Sequence, residues 1–134
     1  MTVQPITDAI PRVRSALYAA LAPLVGTFEG MARCYWLQAA QGAPLPLLIM
    51  QAQDGGGGDQ SLLSAGGWSG LFTIKALATS PSAAEALLAG VPGALGSLST
   101  SGLSIQATFA RSLVLPPSDG AHTAALVYRI TLYQ

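Results

Sequence analysis

The sequence predicts an α+β fold: an antiparallel, or mixed, β-sheet with two helices packed on one face and a long C-terminal β-hairpin. Three observations carry this reading. Two alternating stretches, Leu103 to Leu115 and Ala121 to Tyr133, flank the turn Pro116-Pro117-Ser118-Asp119-Gly120. Each is roughly twice the usual strand length of about 5–6 residues, and so tight a turn makes them an antiparallel hairpin. Helical periodicity occurs only twice, too rarely for a βα repeat with its three layers. Finally, only 9% of residues are charged and 51% are hydrophobic, against about 25% charged in ordinary domains. Apolar surface left uncovered by so few charges predicts oligomerisation.

The first element is a helix from about Asp8 to Leu24. Ile10, Val13, Leu17, Ala20, Leu21 and Leu24 recur at spacings of three and four and form one apolar stripe. Thr7 or Asp8 can cap its first amides, Pro11 falls in the first turn, and Pro23 and Gly26 end it. Two extended segments follow, Ala32 to Gln38 and Leu45 to Asp54, separated by Ala39-Ala40-Gln41-Gly42-Ala43-Pro44. Neither alternates cleanly, so both are expected to be covered on both faces.

Asp54-Gly55-Gly56-Gly57-Gly58-Asp59 opens a stretch to about Gly67 that reads as a flexible loop within a single domain spanning residues 1–134. Gly67 to Thr79 then alternates as a strand. Ser80 and Pro81 open a second helix, with Ser82 and Glu85 at capping-box spacing and Ala84, Leu87, Leu88 and Val91 as its core stripe. Gly90, Pro92 and Gly93 terminate it, and Gly96 to Gly102 is a linker. In the closing hairpin Leu103, Ile105, Ala107 and Phe109 face one way, and Ser104, Gln106, Thr108 and Ala110 the other.

Catalytic chemistry finds little to work with, and neither a catalytic residue, a bound metal nor a cofactor is expected. His122 is the one histidine, placed as an exposed residue at a strand end, without a second His, Cys or acidic cluster near it in sequence. Ser69 has glycine at the spacing of a nucleophile elbow on one side only. The glycine run lacks the Gly-Lys-Ser/Thr of a phosphate loop and the acidic ladder of a calcium loop. Trp36 and Trp68, with Tyr18 and Tyr35, read as core, although they leave a small-ligand binding module as an alternative of another class. Cys34 reads as a small buried apolar residue.

Six Lys and Arg balance six Asp and Glu, and no run of cations marks a nucleic-acid partner, so sequence-specific nucleic-acid binding is not expected. The segment Met1 to Ile10 lacks the features of a signal peptide, which predicts a cytoplasmic protein, and the apolar runs are too short to span a membrane.

The order and pattern from about Thr7 to Tyr133 resemble the tail-completion or tail-terminator family of long-tailed bacteriophages. The pieces that carry the resemblance are the Ala/Leu helix ending in Leu24-Val25-Gly26, Ala43-Pro44-Leu45-Pro46-Leu47-Leu48-Ile49, the strand Gly70 to Thr79, the helix Ser82-Ala83-Ala84-Glu85-Ala86-Leu87-Leu88 and the long hairpin. The resemblance implies a virion protein assembled in the host cytoplasm: a homo-oligomeric ring, usually of six, capping the head-proximal end of the tail tube. Its partners would be the tube protein and a neck or connector protein. A neck connector or a tail-tube subunit is the structural alternative. Asp54, Gly55, Gly56, Gly57, Gly58 and Asp59 are the candidate docking loop. Arg111 and Arg129 either face a lumen, pair with Glu29 or Glu85 of a neighbour, or act as edge-strand charges that block unwanted pairing.

Overall fold

The computed structural model describes residues 8–52, 61–63, 67–118 and 120–133, with 61–63 and 118 described by backbone alone. Helix α1, Ala9–Leu21, runs into a single 3₁₀ turn, Ala22–Leu24, matching the predicted span. Asp8 takes the N-cap position without bonding a free amide; its carboxylate accepts instead from Arg12 Nε one turn on, at 2.8 Å. The buried stripe is Ala9, Val13, Ala16, Leu17 and Leu21.

Strands β1, Thr27–Phe28, and β2, Met31–Ala32, form a small hairpin that the sequence reading did not anticipate. Its turn holds Glu29 and Gly30 at positive φ, 53° and 82°, the geometry that matches a two-residue loop to strand twist. The main sheet takes β3, Cys34–Trp36, β4, Leu47–Ala52, β6, Gly67–Ala78, β7, Ser104–Ser118, and β8, Ala121–Tyr133, in the order β3-β4-β6-β8-β7, with β5, Ser61–Leu63, paired to β6. Only β3 and β4 run parallel, so of the two predicted options the sheet is mixed. Ser61–Leu63, expected within the loop, pairs with Ser69–Gly67.

Helix α2, Pro81–Ala89, is followed directly by a short helix α3, Val91–Leu95, so Gly90 and Pro92 redirect the chain rather than release it into the linker. The N-cap of α2 is Ser80, whose hydroxyl accepts from Ala83 N at 3.2 Å; this corrects the predicted capping box of Ser82 and Glu85. Strand β7 continues through Pro116 and Pro117, residues expected in the turn. Proline is tolerated there because β7 is an edge strand and its ladder is irregular between Leu115 and Ser118.

Both helices lie on one face of the sheet. Paired residues of adjacent strands point to the same side, so Trp68, Phe72, Ile74 and Ala76 share a face with Leu132, Tyr128, Leu126 and Ala124. That face forms one core with Val13, Leu17 and Leu21 of α1 and Ala84 and Leu88 of α2. Phe72, fully buried, is its hub, with the rings of Trp36 and Trp68 at centroid distances of 6.3 and 6.0 Å. Among the described residues the opposite face carries no helix; it holds Ser69, Leu71, Thr73, Lys75 and Leu77 of β6.

Candidate assembly surfaces

Apart from Tyr133 on β8, the exposed large hydrophobic side chains among the described residues lie at the two ends of the sheet. Beside the β3 edge, Met31 is 59% and Leu37 57% exposed; at the β7 edge, Phe109 is 55% and Val114 85% exposed, with Leu113 beside them. Since β3 and β7 end the strand order, each leaves one row of backbone donors and acceptors without a partner strand in the main sheet.

Local backbone geometry explains the β3 edge. Leu37 has φ of +73°, and Gln38 N donates to Trp36 O at 2.9 Å across it, so Leu37 is the centre of a γ-turn. A branched residue in this region is strained by about 1–3 kcal/mol, and the turn leaves its side chain in solvent. Next to it a concavity of about 390 Å³ lies between α1 and β3, lined by Tyr18, Met31, Cys34, Trp36 and Met50. Arg14 lies 5.8 Å over the Trp36 ring. Burial pushes the Cys34 thiol up to about 12, which leaves it neutral, with Sγ 3.8 Å from Met50 Sδ; this fits the apolar role read from sequence.

At the β7 edge a bulge sets which side chains face where. Phe109 pairs with Tyr128 and Arg111 with Val127, leaving Ala110 extra. Before the bulge Ile105, Ala107 and Phe109 share the helix side; after it Ser112 and Val114 do. The predicted alternation holds from Ile105 to Phe109, and the bulge shifts it by one residue beyond. Helix α2 packs mainly on β8 and β6. A groove of about 320 Å³ remains there, lined by Pro81, Glu85, Val114, His122 and Ala124. His122 is half-buried in it, rather than exposed as its place in the sequence suggested.

Arg111 and Arg129 both point to the helix-free face, on neighbouring strands. Arg129 donates from Nη1 to Ser69 Oγ at 3.1 Å, and Ser69 is buried. An edge-charge role is open to Arg111 alone, because Arg129 lies on β8, between β6 and β7. The six loop candidates, Asp54, Gly55, Gly56, Gly57, Gly58 and Asp59, lie outside the described residues. Among the described residues no group of three or more His, Cys, Asp or Glu could hold a metal ion, and no helix is long and apolar enough to cross a membrane.

Sequence reasoning missed Met31, Leu37, Leu113 and Val114 as surface residues. Their apolar character was plain, yet exposure is decided by where the sheet ends and how far α2 reaches.

The fold is of the α+β class, a mixed sheet with its helices on one side and a long edge hairpin. No protein-family model matches the chain, and no curated protein matches it in sequence. In fold it is similar to a chain in the virion of a native gene transfer agent particle, with a TM-score of 0.68 and 20% sequence identity, over 96% of this chain and 100% of that one. At that identity the likeness is one of fold.

Proposed function

We propose that this chain is a non-enzymatic structural protein of a virion, of the tail-terminator type. In this reading six copies close into a ring that caps the head-proximal end of a tail tube and joins it to the neck. The observation that carries the reading is the pair of exposed apolar sheet edges. They are at opposite ends of one sheet and different from each other, Met31 and Leu37 at one and Phe109 and Val114 at the other. Two unlike apolar patches suit a head-to-tail contact, which gives a ring where the rotation between neighbouring copies closes. Charge agrees: Glu29 stands in the β1–β2 turn at one end and Arg111 on β7 at the other. The strained Leu37 adds support, because strain that exposes an apolar side chain is retained where that side chain is used.

The fold neighbour belongs to a virion particle, which supports a virion role. The Asp54 to Asp59 segment is proposed to dock on the tube or neck protein.

Light scattering of the purified chain over a range of concentrations tests this. The expected result is a discrete species of six times the chain mass of 13.6 kDa, which binds tube ends and halts their growth. A tube subunit would instead polymerise without limit. A mass that stays at one chain, alone and with tubes present, rules the ring out.

A further inference from the structure

Of the charged side chains on the helices, Arg12 pairs with Asp8, whereas Arg14 and Glu85 have no ion-pair partner among the described residues. Both are exposed, and they stand toward opposite ends of the helix layer. Arg14 is on α1, which packs on β3 and β4; Glu85 is on α2, which packs mainly on β6 and β8; α3 touches both helices.

Each of these charges borders an apolar hollow. Arg14 lies over the Trp36 ring, at the concavity that also holds Tyr18 and the exposed Met31. Its guanidinium makes no hydrogen bond among the described residues, so its N–H groups remain free to donate to a carboxylate. Glu85 borders two adjoining hollows between α2 and β7, of about 320 and 380 Å³, which also share Val114 and Ala124. They extend from Pro81 past Leu88 to Pro92, with Ala124 and Leu126 of β8 between α2 and Val114 of β7. Of the other lining residues only His122 is titratable.

We propose that this α2–β7 hollow receives the α1 and β1–β2 end of a second copy of the chain, with Met31 seated in it and Arg14 paired with Glu85. The proposal rests on the head-to-tail reading of the two sheet edges and names the side chains that join them. An apolar hollow with an acid at its margin meets an apolar projection with a cation at its margin. Met31 is unbranched, and such a side chain fills irregular gaps. The hollow is continuous with the exposed β7 patch, because Val114 belongs to both. A foreign partner seated there would leave Met31 and Arg14 uncovered, whereas a second copy covers both ends in one contact. The signs also fix orientation: docking hollow on hollow would bring two Glu85 carboxylates to the same contact.

The test is the mass of the full chain by light scattering, for the parent, Arg14→Glu and Glu85→Arg, each alone and the two variants mixed one to one. Alone, each variant sets like charges against each other at every contact, and its dissociation constant should rise about tenfold or more. In the mixture every contact between unlike chains again joins opposite charges, so the parent mass should return, with both chains present in equal numbers by native mass spectrometry. Only folded chains can be rescued in this way, so rescue also excludes a folding defect. Arg129→Glu changes the net charge as Arg14→Glu does but lies on the helix-free face, and mixed with Glu85→Arg it should not restore the mass. Single variants that keep the parent mass at every concentration overturn the pairing and leave the ring standing. So does loss in both singles that mixing fails to restore, or a Glu85→Arg chain rescued equally by Arg129→Glu. A parent that stays at the mass of one chain, with and without tubes, removes the ring and this contact together. Rescue in an assembly of some other number of copies would keep the contact and correct the ring.

Discussion

The rings of Phe109 and Tyr128 meet edge to face across the β7–β8 pair, their centroids 5.7 Å apart and their planes at 76°. Tyr128 is buried and Phe109 more than half exposed, so Phe109 rests one side of its ring on the core and offers the other to solvent. Such a pair contributes about 0.5–1.5 kcal/mol beyond its burial. Phe109→Ala should therefore cost the isolated chain only about 1–2 kcal/mol in urea unfolding, while strongly reducing the oligomeric fraction by light scattering. A variant that assembles like the parent would remove the β7 edge from the proposed contact.

Leu37→Gly should separate stability from assembly in the opposite sense. Glycine relieves the backbone strain at φ +73°, and little burial is lost from a side chain that is 57% exposed. The chain should become more stable by about 1 kcal/mol and associate less well. Destabilisation, with a lower thermal midpoint, would show that the Leu37 side chain serves the fold of the single chain.

Gly70 is placed under Trp68. A Cβ there would lie 2.7 Å from Trp68 Cη2, and the ring is buried against Phe72, with no flexible end to swing aside. Gly70→Ala should cost about 1–3 kcal/mol and alter the near-ultraviolet circular dichroism of the tryptophans. Unchanged spectra and stability would contradict this packing.

Ser80 and Ser82 offer a comparison within one helix start. The Ser80 hydroxyl accepts the Ala83 amide, so Ser80→Ala should lose about 1 kcal/mol. Ser82→Ala and Glu85→Ala should each fall within about 0.5 kcal/mol of the parent. The reverse ranking in thermal melts would restore the capping box.

Cys34 gives a prediction in pH. Its folded value, about 12, lies above the ordinary thiol value near 8.5. The stability from keeping the thiol neutral is therefore fully present below about pH 8.5. Above that the unfolded chain loses its proton while the folded chain keeps it, and stability falls by up to about 1.4 kcal/mol per pH unit until the folded thiol ionises. Tyr128, also raised by burial, acts in the same direction at higher pH. Urea midpoints of the parent and Cys34→Ala should diverge from pH 8.5 to 10, the parent losing more, and native Cys34 should resist alkylation at pH 8. Rapid native alkylation would refute the buried neutral thiol.

Much of the architecture was legible because it rests on local chemistry. The stripe of Val13, Leu17 and Leu21, the alternation from Trp68 to Ala78, Pro81 at a helix start and the two long strands each follow from periodicity or backbone restriction within one segment. The errors were non-local or below the reach of periodicity. The β1–β2 hairpin has two residues per strand, too few to show a period. The parallel pairing of β3 with β4 depends on how ten intervening residues cross. The bulge at Ala110 reverses the alternation without any glycine to announce it.

The sequence by itself determined an α+β chain, poor in charge and rich in apolar residues, whose helices have one face to bury and whose hairpin is long. These properties depend on residue type and near-neighbour spacing, which the chain states directly. Only the tertiary structure decided which apolar residues stay outside the core, leaving Met31 and Leu37 beside one sheet edge and Phe109 and Val114 at the other. It alone brought Lys75, Arg111 and Arg129 onto one face. Charge clustering is set by strand order and register, and a pairing shift of one residue would send the side chains of the shifted strand to the opposite face.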